Sequence, residues 1–160
     1  MTTHPDLDTR LTRLQAVLRS MERVIIAFSG GVDSAFLLKV AVDTLGADAR
    51  ALIAVSPSLA PWELDEARAF ARGLAVDLHE VTTDEMAREG YRANAGDRCY
   101  HCKAELFDVA ALEAAALGHR VLCYGAIPDD LGDHRPGMQA ADERAVRAPL
   151  IEAGLTKADI

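Results

Sequence analysis

The stretch Val24-Ile25-Ile26-Ala27-Phe28-Ser29-Gly30-Gly31-Val32-Asp33-Ser34 decides the fold. Five apolar residues, two of them β-branched isoleucines, read as a buried strand, and the hexapeptide behind them reads as a turn into a helix. Two successive glycines let the backbone turn with positive φ and come close to a ligand. The amides of such a turn, continued by a helix N-terminus, form a nest for an anion. Ser29 and Ser34 offer hydroxyls to phosphate oxygens, and Asp33 can orient a metal-bound phosphate or cap the helix. The hexapeptide has no lysine, which separates it from the Gly-Lys-Ser/Thr loop that holds β- and γ-phosphates. The plain alternative is an ordinary strand–turn–helix corner. Strand, double glycine, two hydroxyls and an acid in this order favour the anion site.

Working outward, apolar residues at Leu7, Leu11, Leu14, Val17 and Leu18 give an amphipathic helix over 7–21. The first strand spans 23–28, and the helix behind the glycines spans 33–45 and stops at Gly46. A strand at 51–55 ends in Ser56-Pro57, and a helix at 61–72 opens on Pro61 and closes before Gly73. A third strand follows at 76–81, a polar segment at 82–98, a helix at 100–117 and a fourth strand at 120–124. Residues 125–137 form a loop rich in Asp, Gly and Pro, and 147–151 fits a short fifth strand. The β-α-β-α-β-α-β order predicts an α/β fold, a doubly wound parallel sheet with right-handed crossovers. Thr156-x-x-Asp159 is the signature of a capping box that opens a helix. The chain ends at Ile160, inside that helix's first turn. The expectation is therefore one domain over 1–160, a fragment whose further functional residues lie beyond it.

The composition agrees. Half of the 160 residues are apolar and only 5% aromatic, which suits helices on a parallel sheet better than a β-sandwich. The formal net charge of −8 is wrong for gripping a nucleic-acid backbone, so no nucleic-acid partner is expected. Any anion site must be local, made of amides, hydroxyls and a metal. No stretch is apolar for long enough to span a membrane, and residues 1–13 lack the apolar core of a signal peptide. A cytoplasmic protein is expected. Three cysteines, an odd number, do not suggest a disulfide framework.

Ligands of an open parallel sheet bind beyond the carboxyl ends of its strands, where the strand order switches. The unusual sequence gathers there. Ala54, Val55 and Ser56, ending the second strand, offer backbone to an adenine edge, or are a plain strand end with a Ser-Pro turn. In Asn94-Ala95-Gly96-Asp97-Arg98-Cys99-Tyr100-His101-Cys102-Lys103, the two cysteines stand one helical turn apart and can reach one metal. Arg98 and Lys103 lower thiol pKa values and can neutralise phosphate. A thioredoxin-like redox pair would belong after the first strand of its fold, and a four-cysteine zinc site needs one cysteine more than the chain has. An iron–sulfur cluster with a third ligand elsewhere, or two unligated thiols, remain. Cys123, inside the fourth strand, is either a small buried hydrophobe or that third ligand. Gly125 opens a loop holding Asp129, Asp130, Asp133, His134 and Arg135, which suits Mg²⁺ and a phosphate, or a solvated turn. The acids and arginine around 63–68 read as a solvated helix face.

Together these residues resemble the PP-loop ATP pyrophosphatase superfamily, of adenine nucleotide alpha hydrolase-like, Rossmann-like fold, through Ser29-Gly30-Gly31-Val32-Asp33-Ser34. Within it the chain looks most like the LarE family of ATP-dependent sulfur transferases. The closer match is carried by Asn94-x-x-Asp97-Arg98-Cys99-Tyr100-x-Cys102-Lys103, Asp129-Asp130-x-x-Asp133-x-Arg135-Pro136-Gly137 and Pro149-Leu150-x-x-Ala153-Gly154-Leu155-Thr156-Lys157. The resemblance implies adenylylation of a carboxylate on a pyridinium mononucleotide by ATP and Mg²⁺, with release of pyrophosphate. Sulfur delivery to give a thiocarboxylate follows, a step toward the nickel-pincer nucleotide. Part of the family sacrifices a cysteine for the sulfur, and part uses a three-cysteine [4Fe-4S] cluster, the type to which Cys99 and Cys102 lie nearer.

By the same resemblance, Ser29, Gly30, Gly31, Asp33 and Ser34 hold the leaving pyrophosphate, with Asp33 on Mg²⁺. Arg98 and Lys103 neutralise phosphate charge, and Ser56, Gly125, Asp129 and Asp130 contact nucleotide or metal. The family's further cysteine comes after the helix that begins at Thr156, outside these residues, and the full-length form is expected to be a homo-oligomer. Three other readings compete: a tRNA thiolase, an amidotransferase-type synthetase, and a nucleotide-binding module without catalysis. The acidic balance opposes the first, and the loop acids with Cys-x-x-Cys-Lys oppose the last.

Overall fold

The computed structural model describes residues 5–28, 31–55, 59–82, 98–116, 118, 121–127 and 146–160. The side chains of residues 5, 6, 98–106 and 158 fall outside that description. In chain order come α1 (Pro5–Met21), β1 (Val24–Ala27), α2 (Val32–Leu45) and β2 (Ala49–Val55). Then follow α3 (Pro61–Gly73), β3 (Leu78–Thr82), α4 (Arg98–Ala116), β4 (Val121–Tyr124) and α5 (Pro149–Ala153).

The strands form one sheet in the order β3-β2-β1-β4, every pair parallel. In β1, Val24 stands level with Ala49 of β2 and Val121 of β4, and Ala27 with Leu52 and Tyr124. The chain thus winds outward from β1 through β2 to β3, then returns to the other side of β1. The order reverses between β1 and β4, and their carboxyl ends flank the switch point of this doubly wound sheet.

All four residues of β1 are buried, and their alternation divides the core. Val24 and Ile26, with Phe28 beyond the strand, face a cluster built with Leu14 and Leu18 of α1, Leu37 and Leu38 of α2, and Leu150 and Ala153 of α5. Ile25 and Ala27 face α4, where Phe107, Ala110 and Ala114 pack beneath the sheet. A strand covered on both sides must be apolar without a polar alternation, and 24–28 is.

The expected short strand at 147–151 is not formed. Among the described residues its one ladder contact is an isolated parallel bridge between Arg147 and Cys123, closed by Tyr124 N–H donating to Arg147 O and Arg147 N–H to Leu122 O. Pro149 cannot donate to a ladder, and it starts α5 instead, at that helix's first position. Among the described residues no helix is long and apolar enough to cross a membrane.

Cys123 is fully buried between β1 and α1, its Sγ 3.7 Å from Met21 Sδ. Burial pushes its thiol from 9.0 up to about 12, against a smaller opposing effect of Arg147. It is the small hydrophobe of the two sequence readings. Since the folded pKa lies above the unfolded one, its stabilisation is complete below about pH 8.5 and is lost as pH rises from there toward about 12. Iodoacetamide at pH 8 should therefore modify Cys123 only in denaturant. Urea midpoints measured from pH 8.5 upward should fall more steeply for the native chain than for Cys123→Ala.

Candidate functional site at the carboxyl ends of β1 and β4

Two of the residues expected in the nucleotide loop, Ser29 and Gly30, lie outside the described residues. The loop's second half is described. Gly31 is the N-cap of α2, with φ −77° and ψ 162°, so it is extended and makes no use of a positive φ. That corrects the expectation for the second glycine. Asp33 and Ser34 occupy the second and third positions of the helix, in the turn whose amide N–H groups point out of its end. A carboxylate there is stabilised by the helix dipole, and so is any anion that approaches.

Ser34 is buried, and its hydroxyl lies 3.2 Å from the carbonyl oxygen of Gly31, to which it donates. The hydroxyl that the sequence offers to phosphate is thus turned onto the loop's own backbone, bracing the cap.

Gly125, immediately after β4, explains why this corner holds its shape. A Cβ at Gly125 would stand 2.9 Å from the backbone nitrogen of Ser34 and 3.0 Å from its Cα. Real Cβ atoms do not approach backbone so closely, so only glycine allows β4 to pass the first turn of α2 here. Gly125 was expected to contact the cofactor. Its geometry assigns it at least one other task, to let the two sides of the switch point close on each other.

The sequence reading passed over one cation. Lys157 stands in a 3₁₀ turn (Lys157–Asp159) that follows α5, and its Nζ lies 3.1 Å from Asp33 Oδ1. Both side chains are partly exposed, the lysine by 55% and the aspartate by 27%, so the pair sits at the mouth of the site. The residues are 124 positions apart. Only the quoted stretch ending in Leu155-Thr156-Lys157 pointed to this lysine, and nothing in its spacing linked it to Asp33. The Thr156 capping box does form, with Thr156 N–H and Oγ1 both bonded to Asp159 Oδ2.

A cavity of about 330 Å³ opens between α2 and α3, lined by Phe28, Ala35, Trp62, Glu63, Glu66 and Phe70 among others. Phe28 and Phe70 stack at 5.4 Å, and Trp62 is 63% exposed beside them. Glu63 accepts the Ala60 N–H at the start of α3, and Arg68 forms a two-pronged bridge with Glu80 at 2.7 and 2.9 Å. Hydrogen bonding to Glu80 raises the Arg68 pKa, and the same contact lowers that of Glu80. The charged face is solvated as read, with Asp65, Glu66 and Arg68 exposed, and it also supplies a helix cap at Glu63 and a bridge to β3, while Glu66 lines the cavity.

Arg98, Cys99, Cys102 and Lys103 fall in the first turns of α4, as expected for a cysteine pair at a helix start, but their side chains lie outside the described residues. Ser56, Asp129 and Asp130 lie outside them altogether. Among the described residues no three His, Cys, Asp or Glu side chains gather around one point. Cys123, the other candidate for a third cluster ligand, is a fully buried thiol whose Sγ lies against Met21 Sδ. Asp33 does fit Mg²⁺, a hard cation that takes exposed carboxylate oxygens beside phosphate.

No family model matches the chain. Among curated proteins, an uncharacterized protein of Synechocystis is 46% identical over 154 residues, covering 96% of this chain and 58% of that protein. The pyridinium-3,5-bisthiocarboxylic acid mononucleotide synthase of Lactiplantibacillus plantarum is 34% identical over 155 residues, covering 96% of this chain and 56% of the synthase. The chain thus spans somewhat over half the length of these relatives. In structure, the glutamine-dependent NAD⁺ synthetase of Acinetobacter baumannii, solved with ADP, superposes with a TM-score of 0.67 at 14% identity, over 94% of this chain and 36% of that one. That likeness gives the fold.

The Gly125 contact yields a direct test. Gly125→Ala should lower stability by about 1–3 kcal/mol, as overpacking does. Gly73→Ala, with nothing within 4 Å of the added Cβ, should be neutral or slightly stabilising. Urea denaturation of both variants checks the contrast.

Proposed function

The chain belongs to the LarE family of PP-loop ATP pyrophosphatases, and on that premise we propose that it activates a carboxylate of a pyridinium mononucleotide with ATP and prepares it for sulfur. In this reaction a carboxylate oxygen attacks the α-phosphorus of ATP, the bond to the β-phosphate oxygen breaks, and pyrophosphate leaves. A hydrosulfide-level nucleophile then attacks the acyl carbon of the adenylate and expels AMP, giving the thiocarboxylate and releasing its proton to solvent; a thiolate side chain in that role would give a thioester, whose own C–S bond to the protein must then break. The product is a precursor of the nickel-pincer nucleotide.

The observation that carries this reading is the Asp33–Lys157 pair at the N-terminus of α2, at the switch point of the sheet. A helix N-terminus and an ammonium together form a cradle for a leaving pyrophosphate, whose charge grows as the bond breaks. Lys157 exchanges its contact with Asp33 for one with the phosphates, and Asp33 turns to the cation. Mg²⁺, when bound, neutralises the phosphate oxygens. Carboxylates are ionised at neutral pH and need no general base, so the protein's contribution is positioning and charge. Arg98 and Lys103, in the first turns of α4, are the further cations that the family resemblance assigns to phosphate charge.

The adenine fits the cavity between α2 and α3, where Trp62, Phe28 and Phe70 offer flat apolar walls close to the nucleotide loop. The sulfur-delivering part of the reaction is assigned to the length of the relatives that these 160 residues do not match.

The deciding experiment supplies ATP, Mg²⁺ and pyridinium-3,5-biscarboxylic acid mononucleotide, and records pyrophosphate and the mass of the adenylate. Pyrophosphate release that depends on the mononucleotide is expected. Asp33→Asn should cut the rate by about 10²- to 10³-fold, as loss of a group acting on developing charge does, with the melting temperature nearly unchanged. Pyrophosphate release that survives in Asp33→Asn, or ignores the mononucleotide, overturns the proposal. Separately, Trp62→Ala should raise KM for ATP by about tenfold, the effect of losing one stacking partner, while leaving kcat close to that of the native chain.

A further inference from the structure

Lys157 stands on a turn too short to hold itself. A three-residue 3₁₀ turn has few internal hydrogen bonds, and isolated helical turns are unstable in water. Its support is the Asp159 carboxylate, one oxygen of which lies 3.0 Å from Thr156 N, 3.1 Å from Thr156 Oγ1 and 2.7 Å from Arg10 Nη1. Two of those donors belong to the turn. The third comes from the first helix of the chain, 149 residues away in sequence.

We infer that Arg10 is a positioning residue for the nucleotide site: through Asp159 it fixes the 156–159 turn so that the Lys157 ammonium meets Asp33. The role of the site itself rests on the function proposed above. The geometry is continuous, from Arg10 to Asp159, across the capping box to Thr156 and Lys157, and from Lys157 to Asp33. Arg10 is suited to the task because α1 is firmly seated, with Leu14 and Leu18 fully buried and Leu7 and Leu11 packed on the same core. Leu155, fully buried, and Ile160, packed on the core, bracket the turn. They keep the segment folded when the latch is removed, so Arg10 sets the turn's orientation and not its existence. The Asp159 carboxyl is held below its ordinary range, first by the Thr156 N–H and then by Arg10, so the latch stays charged at neutral pH.

The test reads Lys157 directly, without ATP. Trace acetylation of lysine amines, quantified by mass spectrometry, compares Lys157 with Lys39, whose own ion pair with Asp43 lies within α2 and serves as the internal reference. Arg10→Met should raise Lys157 labelling about two- to fivefold, the range of a partly exposed ion pair, and leave Lys39 unchanged. Asp33→Asn should do the same, the double variant should add little, and Arg10→Lys should restore most of the protection. If Arg10→Met does not fold, Asp159→Asn removes the charge from the same contact while still accepting from Thr156. Unchanged Lys157 labelling in folded Arg10→Met or Asp159→Asn overturns the inference, and so does an equal rise at Lys157 and Lys39. Because labelling needs no turnover, these outcomes are separate from failure of the proposed reaction. Where pyrophosphate release is measured, Arg10→Met should raise KM for ATP by a similar factor, and Arg10→Lys should recover it.

Discussion

The passage of β4 across the first turn of α2 is the contact on which the rest of the candidate site depends. The parallel register brings Tyr124 level with Ala27, so the chain leaving β4 must run beside the chain leaving β1. At Gly125 the gap has closed to less than a side chain's thickness. A methyl group there would push the start of α2 away and move Asp33 and Ser34 with it. Backbone packing, more than any polar contact, thus sets where the anion-binding end of the helix points.

Electrostatics must then act locally. A chain with a formal net charge of −8 repels polyanions at long range, and exposed charges are screened within about 8–10 Å. The site answers with groups at close quarters, namely the helix N-terminus and the Lys157 ammonium at 3.1 Å from Asp33. Such an arrangement suits a small anion presented at one point better than an extended polyanion. The Asp33–Lys157 pair by itself adds little to stability, as partly exposed pairs do. Its geometric effect is to place an ammonium beside the N-terminus of α2.

Much of the fold was legible because two signals agreed. The apolar run 24–28 has no polar alternation, which only a strand covered on both faces tolerates, and glycines or prolines mark the boundaries of α2, α3 and α5. The misreading at 147–151 arose where Pro149 serves equally as a strand end and a helix start, and the apolar residues that suggested a strand are the buried face of α5. Within the site, Asp33 and Ser34 were legible from the hexapeptide, while the structure adds that Ser34 Oγ donates to Gly31 O and that Gly31 is extended rather than at positive φ. Lys157 and Trp62 were not legible as site residues. Their significance comes from contacts between segments far apart in sequence, and local periodicity carries no trace of such contacts.

Those long-range contacts share a direction. α1 precedes the sheet and contributes no residue to its carboxyl edge, yet it packs on both α2 and α5. It therefore joins the helix that begins at the nucleotide loop to the segment that carries Lys157. A rigid apolar seam through Leu14 and Leu18 sets the distance between the two, and the Arg10–Asp159 contact sets the angle of the final turn. The seam supplies most of the burial and tolerates small changes in shape, whereas the ion pair is directional and does not. Affinity for the fold and accuracy at the site are thus supplied by different parts of the same helix.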